Sequence, residues 1–304
     1  MSDLDSSAAR KSGHVALVGR PNAGKSTLLN LLIGEKIAIV SDKPQTTRNR
    51  ILGVRIEDNA QIVFVDTPGI HRPGFLLNRR MMETVYQAFL EVDVLVHVVD
   101  VSQRFGKGEL FALDTMRSVS QPRLLALNKV DLINKGRILP IIERYDREGI
   151  YEAVIPLSAQ TGENVDALVS NIVQRIPARG WTLADDYLTD QTERFLVAEI
   201  IREKVLQNTR QELPYSTAVE VEVFDESRRQ EGFIHITASI IVEKAGQKKI
   251  VIGRAGQKIK KIGSAARQEL QRFLSVPKMY LELNVKVVPE WRNQGRLLDG
   301  FGVR

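Results

Sequence analysis

A glycine-rich loop that ends in lysine and serine constrains this chain more than any other feature. Residues 19–26 read GRPNAGKS and match the pattern G-x-x-x-x-G-K-[ST], with an apolar β-run before them and a helical run after them. The two glycines permit backbone angles at which a Cβ would clash, so the loop can turn its N–H groups around a phosphate. The helix that follows adds the positive end of its dipole. The pattern therefore predicts a phosphate-binding loop rather than a chance turn.

The side chains at the end of this loop predict how a nucleotide and its metal are bound. Lys25 is expected to bridge the β- and γ-phosphates as a point charge, and Ser26 to offer its hydroxyl to Mg²⁺. The loop residues predicted to bind the nucleotide are Gly19, Arg20, Pro21, Asn22, Ala23, Gly24, Lys25, Ser26 and Thr27.

Short apolar β-runs alternate with helical runs through residues 13–178. The β-runs are HVALVG, IVFV, VLVHVVD, LLALN and AVIPLS, and they begin at residues 14, 62, 94, 124 and 153. Near-continuous apolar strands are typical of a parallel sheet that is covered on both faces. The sequence therefore predicts an α/β domain with a mostly parallel sheet and helices on both faces.

A four-residue segment at the end of one β-run indicates guanine rather than adenine, which disfavours an ATPase. In the segment NKVD (128–131), the Asp131 carboxylate could accept hydrogen bonds from guanine N1–H and the 2-amino group. Adenine offers neither donor, so a buried carboxylate would lose its partners. Asn128 could join loops, the stem of Lys129 could lie on the ring, and a backbone N–H of residues 158–160 could reach guanine O6. The residues predicted to bind the base are Asn128, Lys129, Asp131, Ser158 and Ala159.

Two loops between these motifs have the composition of nucleotide-dependent switches. Asp66 ends a β-run and could hold Mg²⁺ through water, and the N–H of Gly69 could contact a γ-phosphate. One threonine of the segment PQTTR (44–48) could bind Mg²⁺ only when a γ-phosphate is present, and we assign this role to Thr47. Taken alone, these threonines would be read as capping residues of a surface loop. The predicted catalytic residues are Lys25, Thr47, Asp66 and Gly69, and the predicted Mg²⁺ ligands are Ser26, Thr47 and Asp66.

Hydrolysis is expected to be slow, because Gly69 is followed by Ile70. Many GTPases carry a glutamine at this position that orients the attacking water, and isoleucine cannot hydrogen-bond to water. His71 is adjacent, but a histidine in such a loop is more often an ordinary surface residue. His97 lies in an apolar β-run and is expected in the core. We therefore expect the metal ions, Lys25 and backbone donors to carry the reaction.

Basic residues are concentrated in one window of the second half of the chain. The 304 residues carry a net charge of +6, but residues 244–278 hold ten basic residues and one acidic residue, whereas residues 181–243 hold six and thirteen. Such a window is either a solvated face or a site for an anionic partner, nucleic acid or an acidic lipid surface. The chain contains no cysteine, which excludes disulfides and cysteine-based zinc sites.

The second half of the chain has a different pattern of secondary structure, arranged around a small sheet. The predicted elements are a helix over 193–207, strands over 218–224 and 233–243, a short strand over 248–253, a helix over 257–274 and a strand over 280–288. This order indicates a smaller α+β domain whose sheet is open on one face.

A G-x-x-G turn lies inside the basic window, at residues 253–256. Two glycines allow backbone N–H groups to approach a sugar–phosphate chain closely, as in KH modules that hold about four nucleotides of a single strand. A lone G-x-x-G is more often a tight turn, and here the surrounding lysines favour RNA binding. The residues predicted to bind RNA are Gly253, Arg254, Ala255, Gly256, Lys258, Lys260 and Lys261.

Seven segments of the chain, taken together, resemble the Era GTPases of the TrmE–Era branch. They are GRPNAGKST, PQTTR, DTPGIHRP and NKVDL in the first half, and ERFLVAEIIREKVL, ELPYS and IVIGRAGQKIKKIG in the second. The resemblance spans residues 14–290 and implies a P-loop GTPase domain followed by a smaller α+β type II KH domain. The predicted division is a disordered tail (1–12), a GTPase domain (13–178), a linker (179–191) and a KH RNA-binding domain (192–304). The linker departs from the family because it lacks a proline-rich run.

The resemblance also implies cofactors and partners. It implies hydrolysis of GTP to GDP with Mg²⁺, and in some relatives an activating K⁺ bound by the asparagine of the phosphate loop, here Asn22. It implies binding to the 3′ region of 16S rRNA and to the small ribosomal subunit. Relatives occur in the cytoplasm and at the inner face of the cytoplasmic membrane, although no amphipathic Trp/Phe-rich helix supports membrane contact here. No sequence feature requires an obligate oligomer.

Three interpretations follow from these features. The first is a GTP-hydrolysing switch whose nucleotide state controls its binding to RNA during small-subunit assembly. The second is an RNA-binding protein whose G domain binds nucleotide but hydrolyses it weakly, which Ile70 would explain. The third is a GTPase of the membrane surface that uses the basic window on anionic lipid.

Overall fold

The computed structural model describes residues 10–43, 45–71, 74–209 and 213–303. Within these residues the chain forms two compact units. The first takes in the described residues of Met1–Ala38, Thr47–Arg72 and Met81–Asp190. The second takes in those of Ile39–Thr46, Pro73–Arg80 and Gln191–Arg304. The sequence-based division into continuous domains therefore differs from the structure, because two short segments of the first half of the chain belong to the second unit.

In the described part of the first unit, six strands form one sheet in the order β2-β3-β1-β4-β5-β6. All neighbouring strands are parallel except β2 and β3, which are antiparallel. The strands are β1 (Lys11–Val18), β2 (Ile51–Glu57), β3 (Ala60–Asp66), β4 (Val94–Asp100), β5 (Arg123–Asn128) and β6 (Ala153–Pro156). The helices connected with this sheet are α1 (Lys25–Ile33), α2 (Leu76–Glu91), α3 (Lys107–Arg117), α4 (Ile138–Asp146) and α5 (Val165–Arg175).

Alternate residues of β1 belong to two different apolar cores. Val15 and Leu17 are buried with residues of α1 and α5, whereas Ala16 and Val18 are buried with residues of α2 and α3. Because successive side chains of a strand point to opposite faces, the sheet is covered by helices on both sides. This confirms the predicted α/β class, with a mostly parallel sheet.

Strand β2 is missing from the sequence-based prediction. It pairs with β3 from Ile51↔Asp66 to Glu57↔Ala60, through a two-residue turn in which Asp58 has a φ of 44°. The strand is only partly buried, so its sequence ILGVRIE lacks the continuous apolar run on which the prediction relied.

The stretch predicted as a linker packs along the free edge of β2. The N–H of Val54 donates to the carbonyl oxygen of Leu188 at 3.1 Å, and the N–H of Leu52 donates to the Asp190 carboxylate at 3.1 Å. These bonds satisfy donors that an edge strand would otherwise expose. At the other end of the unit, β1 begins at Lys11, inside the predicted tail of 1–12. Residues 1–9 of that tail lie outside the described residues.

In the second unit, three described strands form a sheet in the order β7-β8-β9, antiparallel and then parallel. The strands are β7 (Ala218–Asp225), β8 (Phe233–Val242) and β9 (Lys278–Val287). The helices are α6 (Glu193–Asn208), α7 (Ala245–Ile252), α8 (Gln257–Phe273) and α9 (Gly295–Gly300). Its 3₁₀ turns are Leu213–Ser216, Arg229–Glu231, Arg254–Gly256 and Trp291–Asn293, and those of the first unit are Val130–Leu132 and Lys135–Arg137. No helix of the described ranges has both the length and the apolar composition needed to cross a membrane.

The core of the second unit lies between one face of its sheet and the two long helices. Val197 and Ile201 of α6 and Ile262 of α8 are fully buried against Ile234 and Ile236 of β8. Hydrogen bonds connect the two short segments from the first half of the chain to the rest of this unit. The N–H of Val40 donates to Glu203 at 2.9 Å, and that of Leu76 to Asn293 at 3.2 Å.

The predicted strand over 248–253 is wrong, because these residues belong to helix α7 and the start of the turn after it. The side chain of Gln247 accepts hydrogen bonds from the N–H groups of Glu243 and Lys244, which caps the start of the helix. Val251 is fully buried, whereas Ile250 is 47% exposed, so the apolar run has one buried side, as a helix requires. A short apolar run does not distinguish helix from strand by its periodicity.

Candidate functional site

Both glycines of the phosphate loop stand where a side chain would collide with a neighbouring strand or loop. Gly19 has a φ of 146°, and a Cβ there would lie 2.2 Å from the carbonyl oxygen of Val98. Gly24 has a φ of 98°, and its Cβ would lie 2.2 Å from the side-chain amide nitrogen of Asn128. The loop between β1 and α1 therefore takes this shape only with glycine at both positions.

Lys25 is the first residue of α1 and is buried at the loop. Its ammonium group donates to the carbonyl oxygens of Gly19 at 3.2 Å and of Arg20 at 3.1 Å. Burial lowers the pKa of Lys25, and the negative charge of Asp66 acts against this shift. The loop thus holds the Lys25 ammonium group at the N-terminus of α1. Both this cation and the partial positive charge of the helix end favour binding of an anion.

Three side chains predicted to hold Mg²⁺ converge on one point. Oδ2 of Asp66 accepts hydrogen bonds from Ser26 at 2.6 Å and from Thr47 at 3.2 Å, and the two hydroxyl oxygens are 2.7 Å apart. Thr46, the other threonine weighed for this role, donates instead to the carbonyl oxygen of Lys43 at 2.6 Å.

These residues fit a magnesium ion. Asp66 is fully buried, and its second oxygen, Oδ1, has no hydrogen-bond partner among the described residues. Burial raises the pKa of Asp66, while Lys25 and the hydrogen bonds from Ser26 and Thr47 hold it down. Hydroxyl and carboxylate oxygens are the hard ligands that Mg²⁺ prefers. An ion held by them supplies charge neutralisation at the β- and γ-phosphate oxygens.

Asn128 connects three loops through one amide group. Its nitrogen donates to the carbonyl oxygen of Ala23 at 2.8 Å. Its oxygen accepts from the N–H groups of Lys129 at 2.8 Å and of Ala159 at 2.9 Å. The phosphate loop and the two segments predicted to bind the base are therefore held in one arrangement by a residue that is 1% exposed.

Lys129 reaches back from the base segment to the phosphate loop. Its ammonium group donates to the carbonyl oxygen of Asn22 at 2.8 Å and to the carboxylate of Asp100 at 2.6 Å. Asp131 follows in a 3₁₀ turn and is itself exposed, so its carboxylate is accessible to a ligand from solvent. Asp100 was missed by the sequence analysis, although its place at the carboxyl end of β4 could have suggested it.

The segment after β6 that is predicted to bind the base is held in place by hydrogen bonds within its own turn. The N–H of Ser158 donates to the carbonyl oxygen of Glu163 at 3.0 Å, and the Ser158 hydroxyl accepts from the N–H of Thr161 at 3.2 Å. Ser158 and Ala159 are both buried, so they offer backbone rather than side-chain contacts.

The residues after Asp66 explain why no side chain replaces the missing glutamine. A Cβ at Gly69 would lie 2.7 Å from the backbone nitrogen of Pro21, so glycine is required there. Ile70 donates its N–H to Gly19 at 2.9 Å and buries its side chain in the core with Met82. It therefore points away from any nucleotide bound in the loop.

The two histidines weighed earlier differ in their surroundings. The N–H of His71 donates to the sulfur of Met82 at 3.5 Å, and burial lowers the pKa of its imidazole. His97 is fully buried, as predicted, with Nδ1 2.6 Å from the hydroxyl of Tyr151. Burial lowers the pKa of His97 to about 3, so its ring is neutral at physiological pH.

In the second unit, the G-x-x-G turn joins α7 to α8. Gly253 has a φ of 73°, Ala255 of 48° and Gly256 of 74°. A Cβ at Gly253 would lie 2.6 Å from Cβ of Lys258, whereas one at Gly256 would meet nothing within 4 Å. The turn therefore presents a bare, partly exposed backbone at the N-terminus of α8, where an anion is favoured.

The cations predicted to accompany this turn are available to a ligand. Arg254, Lys260 and Lys261 are exposed and Lys258 is half-buried. None of the four forms an ion pair within the described ranges of the chain. An anionic chain could therefore approach both the turn and these side chains without first breaking an internal salt bridge.

Comparisons with known proteins identify a domain type for each of the two parts of the chain that hold these candidate sites. A family model described as "50S ribosome-binding GTPase" matches residues 14–129, and one described as "KH domain" matches residues 212–292. GTPase Era of Geobacter metallireducens is 47% identical over 292 residues, which are 96% of this chain and 97% of that protein. GTPase Era of Leuconostoc citreum is 47% identical over 294 residues, which are 96% of each chain.

Two solved structures are similar over nearly their whole length. One is Era in complex with MgGDPNP and nucleotides 1506–1542 of 16S ribosomal RNA, with a TM-score of 0.91, 39% identity and coverage of 97% of this chain and 99% of that chain. The other is a point variant of Aquifex aeolicus Era bound to GDP·AlF4⁻, with a TM-score of 0.90, 38% identity and coverage of 96% and 99%.

Proposed function

The chain belongs to the Era GTPase family, and on this premise we propose that its KH domain binds the 3′ region of 16S rRNA during assembly of the small ribosomal subunit. It is a GTPase, with a P-loop G domain followed by the KH domain. The G-x-x-G turn carries the RNA proposal. It combines two glycines at positive φ with four cations that form no ion pair among the described residues.

The experiment that tests the RNA target is crosslinking with GTP present. The full-length protein is crosslinked in a lysate, and the attached RNA is sequenced. We expect reads concentrated at the 3′ end of 16S rRNA, and fewer such reads from a Gly256→Asp variant. Reads spread over all cellular RNA would contradict the proposal.

We also propose that the nucleotide controls RNA binding. Thr47 supports this, because a threonine beside Ser26 and Asp66 can join the metal shell only while a γ-phosphate is bound. Loss of that phosphate on hydrolysis removes one reason for the loop to stay ordered. Of the earlier alternatives, a G domain that binds nucleotide without useful turnover is not supported, because the family consists of GTPases.

We further propose that K⁺ accelerates hydrolysis at Asn22. Asn22 has a φ of 63° and lies in the phosphate loop, where its carbonyl oxygen accepts a hydrogen bond from Lys129. With Ile70 buried, an added cation would supply charge stabilisation at the transferred phosphate. We expect faster hydrolysis in K⁺ than in Na⁺ at equal ionic strength, and no such difference for Asn22→Ala. Equal rates for the wild type would contradict this.

Residence in the cytoplasm, peripheral contact with the membrane and the lack of an obligate oligomer remain predictions. The basic window of residues 244–278 supports contact with an anionic lipid surface as well as with RNA. Flotation with anionic liposomes separates the two. Binding that an RNA competitor abolishes would mean that one surface serves both ligands.

A further inference from the structure

A cluster of polar side chains, buried except for a partly exposed arginine, lies beside the phosphate loop, and the nucleotide chemistry described above does not use it. We call it the Glu109 cluster; its members are Arg20, His97, Glu109, Tyr145 and Tyr151, all in the first unit. Only Arg20 belongs to the loop itself.

The side chain of Arg20 is held on the outer side of the loop, against α3. Its guanidinium Nη1 lies 3.7 Å from Oε2 of Glu109. A Cβ at Gly108 would lie 2.9 Å from Nε of Arg20 and 3.3 Å from Cζ, so the glycine leaves the space in which the guanidinium lies. Both neighbours on α3 therefore favour one position of this side chain.

Glu109 depends on Arg20 for its counter-charge. Glu109 is 4% exposed, and its Oε1 has no hydrogen-bond partner among the described residues. The nearest imidazole nitrogen, Nε2 of His97, is 3.7 Å away and belongs to a ring that is neutral at pH 7. Burial raises the pKa of Glu109, and two neighbours lower it: the Tyr145 hydroxyl, which donates a hydrogen bond to the carboxylate, and the cation of Arg20. A buried carboxylate is strongly unfavourable without such a partner.

The backbone carbonyl group of Arg20 is hydrogen-bonded to two other residues of the phosphate loop. Its carbonyl oxygen accepts hydrogen bonds from the ammonium of Lys25 at 3.1 Å and from the N–H of Ala23 at 3.3 Å. Anchoring the side chain of Arg20 outside the loop therefore restrains a carbonyl group that contacts the phosphate-binding lysine inside it.

We propose that Arg20 and Glu109 are positioning residues for the nucleotide phosphates, acting as a pair that holds the phosphate loop from its outer side. The pair sets the affinity for GDP and GTP alike, because both nucleotides use the same loop. This inference rests on the nucleotide site and is independent of the RNA proposal.

Binding of fluorescent GDP and of a non-hydrolysable GTP analogue, together with steady-state kinetics, tests the proposal. We expect Arg20→Met to weaken both affinities by about 10-fold and to raise KM by a similar factor, with kcat changed by less than about twofold. Arg20→Lys keeps a cation near Glu109 and should recover most of the affinity. Arg117→Met is the matched control, because Arg117 pairs with Asp114 and Glu148 on the exposed side of α3.

Two further variants separate positioning from a loss of folding. The double variant Arg20→Met/Glu109→Gln should bind no worse than Arg20→Met alone, because each change removes the same interaction. Gly108→Ala displaces the guanidinium while keeping both charges, and it should weaken both nucleotides in the same direction even if Arg20→Met fails to fold. Affinities within about twofold of the wild type for both Arg20→Met and Gly108→Ala would overturn the proposal. A loss of affinity in the double variant that equals the product of the losses of Arg20→Met and Glu109→Gln, each measured singly, would also overturn it.

Discussion

The hydroxyl group of Ser26 donates a hydrogen bond of 2.6 Å to the carboxylate of Asp66. Ser26 is the second residue of α1 and Asp66 is the last residue of β3, so the bond joins two segments that are 40 residues apart in the chain. Thr47 adds a second hydrogen bond to the same carboxylate oxygen. Hydrogen bonds within the polypeptide thus bring the predicted metal ligands together. Each ligand can therefore be tested by its own substitution.

The substitution Asp66→Asn tests the metal site. The amide keeps the shape of the side chain but loses the charge and one acceptor for the hydroxyls. We expect hydrolysis at limiting Mg²⁺ to fall by roughly 10–100-fold, with partial recovery when Mg²⁺ is raised. Asp58→Asn is the matched control, since Asp58 is exposed in the turn between β2 and β3. Equal Mg²⁺ dependence in the two variants would exclude Asp66 from the site.

The substitution Asn128→Ala tests whether one amide holds the loops together. It removes the hydrogen bonds to Ala23, Lys129 and Ala159 and leaves buried backbone groups without partners. We expect a loss of about 1–3 kcal/mol in the free energy of unfolding, measured by urea titration. GDP affinity should fall as well. Asn134→Ala, which removes an exposed cap of a 3₁₀ turn, should change neither quantity appreciably.

The substitution Asp131→Asn tests base recognition. An amide can donate where the carboxylate only accepts, so it suits xanthine, which has a carbonyl group in place of the guanine 2-amino group. We expect the preference between GTP and XTP to move toward XTP. Because Asp131 is exposed, the melting temperature should stay the same. An unchanged preference would mean that Asp131 does not contact the base.

The two glycines of the KH turn give different expectations for stability but the same one for RNA. Gly253→Asp forces a Cβ against Lys258, whereas Gly256→Asp enters open space at a φ that aspartate tolerates. Both should abolish binding of single-stranded RNA and preserve GDP binding, and Gly253→Asp should lower the melting temperature more than Gly256→Asp, because only its Cβ also clashes with a neighbour. Gly300→Asp adds the same charge elsewhere in the second unit, at an open position. RNA affinity equal to that of this control would refute the role of the turn.

The sequence predicted well those features that are determined by residues close together in the chain. The spacing of Gly19, Gly24 and Lys25 follows from the geometry of one loop, so residue types at short separation were sufficient. The G-x-x-G turn was found in the same way, although the residues before it form a helix rather than the predicted strand. There the deciding features are the cap made by Gln247 and the one-sided burial of Val251, which a short apolar run does not reveal.

The parts that were missed depend on contacts between distant segments. Arg20 meets Glu109, and Lys129 meets Asp100, only after the sheet has formed and brought the strand ends together. The stretch after Pro177 was read as a linker because its composition is polar. It packs against the backbone of β2 through the carbonyl group of Leu188 and the carboxylate of Asp190, and contacts with the backbone of a strand leave little trace in composition. A strand edge can accept many different sequences for the same reason.

The central claim is that the nucleotide bound by the G domain sets the affinity of the KH domain for RNA. The most direct test is to titrate RNA corresponding to nucleotides 1506–1542 of 16S rRNA into full-length protein, loaded either with GDP or with a non-hydrolysable GTP analogue and Mg²⁺, at one fixed salt concentration. The account predicts that the analogue-loaded protein binds this RNA at least about fivefold more tightly than the GDP-loaded protein. Equal affinities in the two states would contradict it.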